Sequence, residues 1–133
     1  MWVIESNTHF PPADYKGHAS DRVLILQDAN GDGRSDDPIV FTDGLTFTMS
    51  INVRPTGEVY LATRREILLM HDHNADGHAD RKKRIVHLET EGNYPHNGLA
   101  GFAFDSQDWM YFGFGENLGA KYKIIGSDGT SLS

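Results

Sequence analysis

Val23-Leu24-Ile25-Leu26-Gln27-Asp28-Ala29-Asn30-Gly31-Asp32-Gly33-Arg34-Ser35-Asp36 is answered 44 residues later by Ile67-Leu68-Leu69-Met70-His71-Asp72-His73-Asn74-Ala75-Asp76-Gly77-His78-Ala79-Asp80. An apolar, β-branched run enters each acidic loop. A second run leaves it: Ile39-Val40-Phe41 after the first, Ile85-Val86-His87-Leu88 after the second. Each unit therefore reads strand, loop, strand, and a fixed offset between two such units is the signature of a repeat architecture. The other apolar runs are equally short: Trp2 to Glu5, Ser50 to Val53, Val59 to Thr63, Leu99 to Phe104 and Trp109 to Phe114. They are rich in β-branched and aromatic residues and bounded by Gly, Pro, Asn or Asp, which predicts strands. The aromatic run Trp109-Met110-Tyr111-Phe112-Gly113-Phe114 is expected to be a buried strand, since aromatics commonly fill the space between packed sheets. Asn7 to Ser20, with Pro11-Pro12, reads as a long loop. No segment carries a sustained helical period.

Short strands with a period in the forties fit a β-propeller, whose blades take about 40–50 residues each. The fold class expected is all-β, about three blades of a six-bladed propeller, with residues 1–47, 48–92 and 93–133 as successive units. A propeller closes with at least about four blades, so the chain is expected to be part of a longer one. A complete small sandwich of roughly nine strands is the alternative architecture.

Both acidic loops carry oxygen side chains at positions 1, 3, 5 and 9, and glycine at position 6. In the first these are Asp28, Asn30, Asp32, Asp36 and Gly33; in the second, Asp72, Asn74, Asp76, Asp80 and Gly77. Calcium takes 6–8 hard oxygen ligands in a flexible shell, and glycine allows the chain to turn sharply around it. The backbone carbonyls of Arg34 and His78, at position 7, complete the expected set. Position 12 is Ile39 or Lys83 where an EF-hand has a bidentate Glu, so these are not EF-hands, and Asp36 and Asp80 must close the shell. A hairpin turn alone would explain Asn-Gly and Asp-Gly but not four oxygen-bearing side chains. His71, His73 and His78 flank the second loop and have no counterpart in the first, which argues against a transition metal as the shared ligand.

The formal charge is −7 and would fall to −3 with two bound calcium ions. Such a chain is not expected to bind nucleic acid. Its one basic run, Arg81-Lys82-Lys83-Arg84, follows an acidic loop and reads as charge compensation on a solvated face. Cysteine is absent, which excludes disulfides and thiolate metal sites. No apolar run approaches the roughly 18 residues of a membrane-spanning helix, and the opening residues lack the pattern of a signal peptide.

The other unusual stretch is Glu91-Gly92-Asn93-Tyr94-Pro95-His96-Asn97-Gly98-Leu99-Ala100-Gly101-Phe102-Ala103-Phe104-Asp105, a histidine and two asparagines around a proline turn before a strand. His96-Asn97-Gly98-Leu99-Ala100-Gly101-Phe102-Ala103-Phe104-Asp105, with Trp109 to Asn117, resembles the third-blade segment of the soluble glucose/sorbosone dehydrogenases. These are six-bladed propellers that use pyrroloquinoline quinone and calcium. The whole chain is similar to the propeller region of large membrane-bound-dehydrogenase-like proteins of planctomycete-type bacteria. Trp2 to Pro12, Asp43 to Phe47, Ala62 to Glu66 and Gly92 to Gly98 carry that similarity.

The resemblance implies an oxidoreductase acting on a small sugar or alcohol, with His96 taking the proton from the substrate hydroxyl. Its substrate contacts would come from Asn93, Asn97, Arg64, Glu116 and Asn117. The cationic residues that hold the quinone would lie in later blades, beyond Ser133, so the piece by itself is expected to be inactive. A periplasmic or extracellular location, and a downstream haem or electron-acceptor domain, follow from the resemblance alone. His96 also reads as a turn histidine bonded to backbone, and Arg64 and Arg65 as blade-edge residues. The rival function is a non-catalytic, calcium-stabilised propeller that binds a polysaccharide or a protein partner.

Overall fold

The computed structural model describes residues 1–93 and 97–133. The described chain is all-β and without helices. Its strands are β1 (Trp2–Glu5), β2 (Asp21–Ile25), β3 (Ile39–Leu45), β4 (Thr48–Val53), β5 (Val59–Thr63), β6 (Glu66–His71), β7 (Arg81–Thr90), β8 (Leu99–Phe104), β9 (Met110–Phe114), β10 (Tyr122–Gly126) and β11 (Ser131–Leu132). They form three antiparallel sheets. One has the order β1-β2-β3, a six-stranded sheet has the order β11-β10-β7-β6-β5-β4, and β8 pairs with β9. The sheets do not close on one another. Residues 48–90 form a four-stranded meander, β4 to β7, within the large sheet. Residues 99–132 divide between the β8-β9 hairpin and the outer strands β10 and β11.

The sheets stack in three layers because the central one is apolar on both faces. Leu61, Leu68 and Met70, with Val59, meet Val23, Phe41 and Leu45 of the first sheet. From the opposite face Ala62, Ile67, Val86 and Leu88 meet Leu99, and Phe102, Phe112 and Phe114 of the hairpin close over them. A strand covered on both sides has no polar alternate position, which is why Ile67-Leu68-Leu69-Met70 is a continuous apolar run. Each such leucine or isoleucine contributes about 1.5–3 kcal/mol by leaving water.

The outer hairpin differs from the sequence expectation. Only one face of β9 is covered: Trp109 is 66% and Tyr111 58% exposed. The strand alternates as period 2 demands, with Met110, Phe112 and Phe114 turned inward and no fourth layer over the other side. Trp2 does pack inward, edge-on to Phe41 at 4.7 Å. The basic run Arg81 to Arg84 is exposed, as a solvated face should be, but it belongs to β7 and pairs residue for residue with His71 to Leu68.

Asp21 fastens the long 6–20 loop. Its buried carboxylate accepts the N–H groups of Asn7 (2.7 Å), Thr8 (2.8 Å) and Thr48 (2.7 Å). Burial pushes this carboxyl up, but the three N–H donors outweigh it and hold it below the ordinary range.

Candidate functional site

The two acidic loops are congruent. Asp28 Oδ1 accepts the Asp32 N–H (3.1 Å) and Oδ2 that of Gly33 (3.0 Å). Asp72 does the same for Asp76 (3.2 Å) and Gly77 (2.8 Å). Asn30 and Asn74 accept the N–H two residues on, at 2.9 and 3.3 Å. Asp32 Oδ1 accepts from Arg34 N–H (2.9 Å) and Asp76 Oδ1 from His78 N–H (2.8 Å). The ninth-position carboxylate reaches back to the second position: Asp36 to the Ala29 N–H (2.8 Å), Asp80 to the His73 N–H (3.0 Å). Its own N–H donates to the carbonyl of the residue before the loop, Gln27 (2.7 Å) or His71 (3.0 Å). Gly33 and Gly77 stand at φ 81° and 87°, where an L side chain is strained.

All four oxygen-bearing positions therefore turn inward onto loop backbone, and positions 1, 3, 5 and 9 act as one unit. Among the described residues no group of three or more His, Cys, Asp or Glu side chains stands close enough to hold a metal ion. The donor chemistry nevertheless fits calcium. Every donor is an oxygen, and all but Asp28 Oδ1, which accepts the N–H groups of both Gly31 (2.8 Å) and Asp32 (3.1 Å), accept no more than one backbone N–H and keep a further lone pair. The residues that would hold the ion are Asp28, Asn30, Asp32, Asp36 and the Arg34 carbonyl, and Asp72, Asn74, Asp76, Asp80 and the His78 carbonyl.

The loops differ in their surroundings. Residues 27–38 are exposed throughout. The second loop docks on the edge of β3. The Ala79 N–H donates to the Phe41 carbonyl (2.7 Å), His78 Nδ1 donates to the Val40 carbonyl (2.8 Å), and a Cβ on Gly77 would lie 2.9 Å from Ile39 Cγ2. Asp80 also accepts from His73 Nδ1 at 3.0 Å.

Four of the five residues implicated in substrate contact come together elsewhere. Arg64 is 7% exposed and Asn97 1%. Arg64 Nε donates to the Asn97 carbonyl (3.2 Å) and one terminal nitrogen to Asn93 Oδ1 (3.0 Å). Asn97 Nδ2 donates to Asn117 Oδ1, which also accepts from the Thr90 hydroxyl at 3.1 Å. The approach is close enough to demand glycine: a Cβ on Gly98 would stand 2.7 Å from the Arg64 carbonyl oxygen, and one on Gly92 2.9 Å from Asn97 Nδ2. Asn97 Oδ1 is buried and has no hydrogen-bond partner among the described residues. Glu116, the fifth residue, is exposed. His96 lies outside the described residues, with Tyr94 and Pro95.

Sequence reasoning missed Phe47 and His87, which line a cavity beside Arg64. The Arg64 guanidinium lies 4.7 Å from the Phe47 ring centroid. The usable signal for Phe47 was its place in Thr46-Phe47-Thr48, between two strands that pair in different sheets.

Over residues 1–131 the chain matches a family model described as Domain of unknown function (DUF7133). No curated protein and no solved structure matches it. The chain thus belongs to the DUF7133 family.

Proposed function

We propose that the chain is a calcium-stabilised part of a larger β-propeller, in which each acidic loop takes one Ca²⁺ and the ions serve architecture. The congruent hydrogen-bond pattern in both loops carries this reading. Two segments 44 residues apart direct the same four oxygen-bearing positions onto the same backbone donors. Each nine-residue loop carries three aspartates that repel one another at neutral pH, and a bound cation would offset that repulsion. A ligand that binds only the folded state stabilises by mass action, about 2.7 kcal/mol at a hundredfold excess over Kd. In calorimetric titration the protein should take up two Ca²⁺ and lose both on Asp32→Ala with Asp76→Ala. Absence of heat at millimolar Ca²⁺ would refute the reading.

A second reading adds catalysis: a quinone-type sugar or alcohol dehydrogenase. The convergence of Arg64, Asn93, Asn97 and Asn117 favours it, since amide groups and a fixed guanidinium suit the hydroxyls of a polyol. Pyrroloquinoline quinone would supply hydride acceptance. In this reading the chain's own part is to bind and orient substrate. A binding module for polysaccharide or a protein partner would use the same amides without turnover. Dye reduction by the full-length protein reconstituted with the quinone and Ca²⁺ separates the two: none with any aldose or alcohol leaves the binding module.

A further inference from the structure

The cavity beside Arg64 has a volume of about 470 Å³ and is walled by Phe47, Thr63, Arg65, Glu66 and His87 as well as by Arg64 and Asn93. Its two arginines play different parts. Arg64 is fixed by Asn93 and Asn97 and backed by the Phe47 ring. Arg65 is exposed, and its side chain enters no ion pair or hydrogen bond among the described residues. Its backbone is nonetheless tied down, because the Leu88 N–H donates to its carbonyl at 2.7 Å. Glu66, the carboxylate in the described lining, is engaged by Arg84 at 3.0 Å, which leaves the cavity positive in a chain of net charge −7.

Two further observations point to a missing partner. His87 sits opposite Glu66 in the β6–β7 ladder, and its Nδ1 is buried with no hydrogen-bond partner among the described residues. Such an atom costs about 1–3 kcal/mol unless something pairs with it. Phe47 is held at φ 51°, a backbone strain of about 1–3 kcal/mol of the kind that collects at ligand clamps.

We infer that this cavity binds a small ligand bearing an oxyanion, a carboxylate or a phosphate, held by Arg65 and His87 against the wall made by Arg64 and Phe47. The planar guanidinium of Arg65 pairs with either oxyanion through two parallel N–H donors. His87 supplies a further ring nitrogen, and Phe47 limits the ligand to one that fits between its ring and β7. The site shares no residue with the acidic loops and stands or falls separately from calcium.

The test is calorimetric titration of the protein in calcium-free buffer with inorganic phosphate and, separately, with succinate. At least one should bind at millimolar concentration or tighter; phosphate alone or succinate alone names the oxyanion. Arg65→Gln should weaken that binding at least about tenfold, as loss of a charge-assisted hydrogen bond does, and His87→Phe should weaken it too. Arg65 is exposed, so its variant should keep the parent unfolding temperature. The Asp32→Ala with Asp76→Ala protein should bind the oxyanion as the parent does, which separates this site from the calcium reading. No binding of either probe, or binding that Arg65→Gln leaves intact, would overturn the inference.

Discussion

Loop 28–36 and loop 72–80 share most of their internal hydrogen bonds but not their neighbours. The first stands in solvent, and a Cβ on Gly33 would meet nothing within 4 Å. The second lies on β3, with Gly77 against Ile39 and His78 bonded to the Val40 carbonyl. The loop conformation is therefore a property of nine local residues, since it forms with and without a docking surface. Docking is a separate event, and it ties the first sheet to the second. The second loop even keeps its shape with Ala75 at φ 59°, where the first has Gly31 at 74°.

The largest expected effect compares the sixth-position glycines. Gly33→Ala should cost about 1–2 kcal/mol, the penalty of a left-handed L residue. Gly77→Ala adds a clash with Ile39 and should cost about 1–3 kcal/mol more, read by denaturant unfolding. Equal losses would mean that docking contributes nothing. Next, His78→Ala should lose about 1 kcal/mol with its hydrogen bond to Val40, whereas Arg34→Ala at the matching exposed position should stay within about 0.5 kcal/mol. A matching loss at Arg34 would show that the first loop also has a partner. Ala75→Gly relieves positive φ, partly offset by a freer unfolded chain, and should gain about 0.5 kcal/mol; Gly31→Ala should show the opposite sign.

The smallest effect is electrostatic and confined to the second loop. Desolvation pushes the Asp80 carboxyl up, but the His73 N–H and imidazole outweigh it and hold it below the ordinary carboxylate range. A carboxyl lowered in the folded state stabilises above its unfolded value, and that stabilisation is lost as pH falls through the folded value. The carboxylate is solvent-facing, so the contribution is small. In a carboxyl NMR titration, His73→Ala should move Asp80 upward. An unmoved Asp80 would mean that the imidazole does not act on it.

The sequence made β1 to β9 readable because each is a short apolar run with turn residues at its ends. It did not show β10. Tyr122-Lys123-Ile124-Ile125 is brief and interrupted by a charge at Lys123, and it becomes a strand by pairing with β7 more than 30 positions earlier, a contact that no local pattern carries. The buried reading of Trp109 failed for a related reason: alternation tells which residues share a face, but not whether a further layer covers it. The loops were legible down to the ninth-position aspartates. The Arg64 cluster was legible as separate residues through the resemblance, while its cavity was not, since Phe47 in the β3–β4 link and His87 on β7 stand 40 positions apart in the chain.

Calcium binding by both loops is the central proposal, and the amides of Gly33 and Gly77 report on each loop separately. Each donates to the first-position aspartate of its own loop. In a ¹H–¹⁵N correlation spectrum of the folded protein, both amide resonances should shift and saturate as Ca²⁺ is added to millimolar concentration. Folded protein in which neither resonance moves would contradict the account.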